Sequence, residues 1–89
     1  GRAVVSERLA ACANIVPQLT SIYWWEGELQ EDGESLLLLK TRAALFERLR
    51  ERIAQLHPYE VPAISMIPLS AVHEPYLTWL IEETAVPSE

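Results

Sequence analysis

The 89-residue chain carries 13 acidic and 7 basic residues, giving a formal charge of −6. That balance disfavours a nucleic-acid partner, because phosphate-tracking surfaces are built from clustered Lys and Arg. Its single cysteine excludes an internal disulfide, and with no apolar run long enough to cross a membrane and no export leader the expected setting is soluble and cytoplasmic, without a membrane partner.

The length fits one domain, 1–89, with one hydrophobic core. So small a core is marginal alone, and the chain gains from an oligomeric partner or a metal.

Arg2 to Ala13 is predicted to be a helix, with Val5, Leu9 and Cys12 along one stripe. From Asn14 to Arg42 the pattern is that of strand. Thr20 to Leu29 and Ser35 to Lys40 form the two arms of a long hairpin, with Glu31-Asp32-Gly33-Glu34 as the expected turn. On the first arm Tyr23, Trp25, Gly27 and Leu29 are assigned to one face, and Ile22, Trp24, Glu26 and Glu28 to the other. Pro17 predicts a kink, bulge or edge there. Leu36 to Leu39 is apolar at successive positions, as in a central strand buried on both faces.

Ala43 to Leu56 is the clearest helix, with Leu45, Leu49, Ile53 and Leu56 in one stripe, Thr41 as expected N-cap, and Pro58 stopping it after His57. Val61 to Leu69, carrying two prolines, reads as an irregular or edge strand. The last helix is expected to start near Pro75 and to carry Leu77, Leu80, Ile81 and Thr84 on one stripe, with Tyr76 and Trp79 on a second. The order is that of an α+β, ferredoxin-like βαββαβ unit, with a long hairpin, a C-terminal helix and no first strand in this chain.

Few residues offer chemistry. Cys12 is a soft ligand or a small buried hydrophobe, and His57 is a borderline ligand or a helix-end partner. His57, Tyr59 and Glu60 place an imidazole, a phenol and a carboxylate on one connection. No ligand spacing typical of zinc or copper sites and no nucleophile, phosphate-loop or paired-carboxylate motif is present, so the chain is not expected to be an enzyme. Trp24 and Trp25, adjacent on a strand, point to opposite faces, so at least one is expected to meet a partner, as is Trp79 with its second apolar stripe.

The runs Glu7-Arg8-Leu9-Ala10-Ala11-Cys12-Ala13-Asn14, Ser21-Ile22-Tyr23-Trp24-Trp25-Glu26-Gly27, Leu39-Lys40-Thr41-Arg42, His57-Pro58-Tyr59-Glu60-Val61-Pro62 and Tyr76-Leu77 with Trp79-Leu80 resemble those of the CutA divalent-cation-tolerance family, in the family's order. The resemblance implies a ferredoxin-like subunit in a homotrimer joined by its hairpins, similar in architecture to PII-type signalling proteins. It implies a role in divalent-cation tolerance, with copper or another divalent cation held by residues matching Cys12 and His57. Leu56 stands where some members carry a second histidine, and members have an additional first strand. Lys40, His57, Tyr59, Glu60, Tyr23 and Trp25 are expected to line a cleft between subunits. The competing expectation is a regulatory module that takes a small ligand or protein in such clefts.

Overall fold

The computed structural model describes residues 1–57 and 62–84. A short helix α1 (Arg2–Ser6) leads into two long antiparallel strands, β1 (Cys12–Trp25) and β2 (Glu28–Lys40). A 3₁₀ turn (Ala43–Leu45) opens α2 (Phe46–Leu56), and α3 (Glu74–Glu83) follows. The helices and the two-stranded sheet make the chain α+β.

The first helix ends earlier than the sequence predicts. Arg8 takes φ 63°, and the amides of Leu9 and Ala10 both donate back to the carbonyl of Val4, at 3.0 and 3.3 Å. A left-handed residue just past the last turn terminates a helix by redirecting the chain. Val4 and Ala10 are thereby buried, with Val5 and Leu9 packed around them, and Cys12 moves from the expected helix to the first position of β1.

The hairpin turns at a different place as well. Trp25 pairs with Glu28, so the turn is Glu26-Gly27 rather than residues 31–34. Both central residues have positive φ, 50° and 80°, the signs of a type I′ turn, whose twist matches that of the flanking strands. Gly33 instead pairs with Thr20 in mid-strand. Moving the turn reassigns the faces. Trp24 now lies beside Leu29 and Ile22 beside Glu31, whereas Trp25 lies beside Glu28 and Tyr23 beside Gln30. The register slips between Val16 and Leu19, where Pro17 and the left-handed Gln18 form the bulge that proline predicts.

The core gathers Val4, Ala10 and Leu49, with Leu39 and Ile53 against them; Leu45 and Leu80 are also buried. Along the α2 stripe exposure rises from 1% at Leu45 to 50% at Leu56. Leu36, Leu37 and Leu38 are exposed in the single chain, because among the described residues β2 pairs only with β1. The expected burial of this run on both faces is therefore absent within one copy.

Thr41 does not cap α2; its hydroxyl donates to the carbonyl of Leu9 at 2.7 Å, and the helix opens through the 3₁₀ turn instead. No strand forms among residues 62–69. The last helix starts as expected, with Pro75 in its first turn and Leu80 and Thr84 buried. Its C-terminal end meets two guanidiniums: Arg42 donates to the carbonyl of Thr84 at 2.8 Å, and Arg8 to the carbonyl of Glu83 at 3.3 Å. Cations there satisfy orphan carbonyls and complement the helix dipole. A bidentate pair between Arg52 and Glu7 ties α2 to the end of α1.

Candidate functional site

Residues of alternating parity on a strand point to opposite faces, so the observed register decides which candidate groups can meet. Cys12 pairs with Lys40 at the base of the hairpin, and Asn14, two residues on, shares their face. The side-chain amide oxygen Oδ1 of Asn14 accepts from the Lys40 ammonium and from the Cys12 thiol, the latter at 3.7 Å. Cys12, Asn14 and Lys40 therefore form one small polar group. Asn14 was not among the residues expected to act, and its signal was its position two residues beyond Cys12 once that residue starts a strand.

Leu39 and Leu37 belong to the other face, which the helices cover. His57 sits on that covered side. It closes α2 with its amide donating to the carbonyl of Ile53 at 2.8 Å, and its half-buried side chain lines an apolar groove with Val4, Leu37, Ile53 and Leu56. The sheet thus stands between Cys12 and His57 within one chain. Among the described residues no three ligand-type side chains converge. Tyr59 and Glu60 lie outside the described residues.

The outer half of the hairpin has two contrasting faces. One carries Ile22, Trp24 and Leu29, exposed at 64%, 73% and 62%. The other carries Tyr23, Trp25, Glu28, Asp32 and Glu34. There the Tyr23 hydroxyl donates to Asp32 and the Ser21 hydroxyl to Glu34, diagonally across the strands. On α3 the rings of Tyr76 and Trp79 pack 5.6 Å apart and remain partly exposed.

Hydrogen bonding and the positive charge of Arg52 hold the Glu7 carboxyl below its ordinary value of 4.5, and Glu7 in return raises Arg52. This pair belongs to the scaffold, away from the candidate groups.

These features define an α+β protein with a projecting, two-faced hairpin arm and a polar group at the base of that arm. Comparison with known proteins places it more narrowly. The profile of the CutA1 divalent ion tolerance protein family matches residues 1–83, and the chain belongs to that family. The divalent-cation tolerance protein CutA of Thermus thermophilus is 55% identical over 83 residues, covering 93% of this chain and 81% of that protein. The solved structure from the same organism superposes with a TM-score of 0.91 at 55% identity, covering 94% of this chain and 82% of that one. A rice relative, 46% identical over 91% of this chain and 46% of its own length, is named as chloroplastic. Among the described residues no helix is long and apolar enough to cross a membrane.

Proposed function

We propose that the protein serves in divalent-cation tolerance as a non-catalytic homotrimer of ferredoxin-like subunits in the cytoplasm. The observation that carries this reading is the apolar face of the arm, Ile22, Trp24 and Leu29, which no part of the same copy covers among the described residues. An exposed apolar sheet face of this kind is an association surface, and a cyclic arrangement gives every arm a neighbour while keeping the assembly finite. Threefold order is what the family resemblance implies; surface area alone does not choose it. Trp24 is the principal interface residue, with Trp25 and Trp79 nearby in the assembly.

In that assembly Lys40, His57, Tyr59, Glu60, Tyr23 and Trp25 line clefts between copies. Copper or another divalent cation is held where Cys12 of one copy approaches His57 of another. Soft thiolate and borderline imidazole suit copper, and the separation of these residues within one chain makes the neighbour necessary. Light scattering at micromolar concentration tests the assembly: a mass of three chains is expected, and a monodisperse mass of one or two refutes it. Calorimetric copper titration of the Cys12→Ala, His57→Ala double variant tests the ligands. An affinity equal to that of the parent protein removes them.

A further inference from the structure

The negative charge of this protein is concentrated on its arm. Between residues 19 and 34 there are five carboxylates, Glu26, Glu28, Glu31, Asp32 and Glu34, and no Lys or Arg; the remaining eight acids and seven bases nearly cancel. Every one of the five lies on β2 or in the turn, none on β1. Three of the five, Glu28, Asp32 and Glu34, lie on the face that also exposes Trp25 and Tyr23, at 53% and 40%, opposite the apolar face of Trp24.

We propose that this face, Tyr23 and Trp25 flanked by Glu28, Asp32 and Glu34, docks an extended peptide segment bearing lysine or arginine at alternate positions. Charge complementarity selects the occupant. A second copy brings another acidic arm and is repelled, whereas a cationic segment is attracted over the Debye length and gains cation–π contacts on the two rings. The spacing agrees as well. Side chains two apart on a strand repeat at about 6.8 Å, so alternate cations of an extended segment meet Glu34 and Asp32 in succession and, past Gln30, Glu28. The proposal deepens the cleft reading by naming the class of partner, and it rests on that reading in assigning the opposite face to a neighbouring copy.

The test is fluorescence anisotropy of a labelled, N-acetylated ten-residue peptide of alternating lysine and serine, titrated with the full 89-residue chain. Binding is expected to weaken by about tenfold in the Glu28→Gln, Asp32→Asn, Glu34→Gln variant, since each exposed charge pair contributes about 0.2–1 kcal/mol. A charge-matched control, Glu51→Gln, Glu74→Gln, Glu82→Gln, should weaken it by less than about threefold, because those residues lie on the helices. Trp25→Ser should weaken binding by about threefold or more even where added salt has reduced the Coulombic part. Asp32→Asn alone, expected to weaken binding by about threefold, keeps the test open if the triple variant loses its far-UV spectrum. Equal losses in the arm and control variants, unaltered binding by Trp25→Ser, or no binding by the parent chain at millimolar concentration each overturn the proposal. Light scattering on the same samples separates the two readings: a chain that is not trimeric but binds at the arm refutes only the assembly, and a trimer that does not bind refutes only the docking face.

Discussion

Replacing Gly27 by alanine discriminates between the observed hairpin and the one that residues 31–34 suggest. Gly27 has φ 80°, and a Cβ built there meets nothing within 4 Å. Neighbouring atoms therefore contribute no clash, and the cost lies in the backbone itself. Holding an L-residue in the left-handed region costs about 1–2 kcal/mol, partly offset by about 0.4–1 kcal/mol from the lower entropy of the unfolded chain. Across these ranges Gly27→Ala is expected to destabilise by at most about 1.6 kcal/mol, with about 0.8 kcal/mol as the central value. For a domain of this size the central value lowers Tm by about 3–6 °C. Gly27→Asn, which tolerates positive φ, should recover part of the loss. At Gly33 the same substitution brings Cβ to 4.0 Å from the carbonyl oxygen of Leu19, an ordinary contact, and no left-handed backbone is involved. Because glycine weakens a strand interior, Gly33→Ala should lie within about 0.5 kcal/mol of neutral or stabilise. Guanidinium unfolding followed by tryptophan fluorescence, at fixed protomer concentration so that assembly does not shift the midpoint, measures both. A loss at Gly33 larger than that at Gly27 would refute the Glu26-Gly27 turn and every face assignment that depends on it.

Leu49→Ala removes a buried side chain from the core and is expected to cost about 2–5 kcal/mol in the same assay. Trp24→Ser should lower the assembly mass seen by light scattering while leaving the far-UV spectrum of the subunit intact, because the ring packs outward rather than into the core. Glu7 is held below its ordinary value, so its pairing contributes stability that is fully present above pH 4.5 and is lost as the pH falls through the lower, folded-state value. Glu7→Gln should therefore flatten the stability profile below pH 4.5 and leave its form near neutrality unchanged.

The helices α2 and α3 were legible because their signals are local. The stripe Leu45, Leu49, Ile53, Leu56 repeats at helical spacing, and Pro75 marks a first turn, so neither depends on distant residues. The first helix and the hairpin turn were misplaced for the opposite reason. Arg8 and Glu26 both adopt positive φ, which most side chains avoid and which no pattern of hydrophobic residues announces. Glu31-Asp32-Gly33-Glu34 had the richer turn composition, yet Glu26-Gly27 allows the strands to pair at full length, so the ladder overrode local propensity. Because the side-chain period of a strand is two, that one change of turn decided which partners every residue of the arm faces.

The same displacement determines how the candidate site is understood. With Cys12 on a helix, its approach to His57 in one chain was a matter of how two helices pack. With Cys12 opening β1, strand geometry fixes its direction: it shares a face with Asn14 and Lys40, and the sheet separates it from the groove lined by His57. A cation bridging these two residues then requires two copies, which couples metal affinity to assembly by mass action. If the proposed ligation holds, Trp24→Ser, distant in sequence from Cys12 and His57, should weaken copper binding in proportion to the assembly lost and recover it at higher protein concentration. Copper affinity that is independent of protein concentration across the dissociation range would show that one copy holds the ion alone, and would refute ligation shared between subunits.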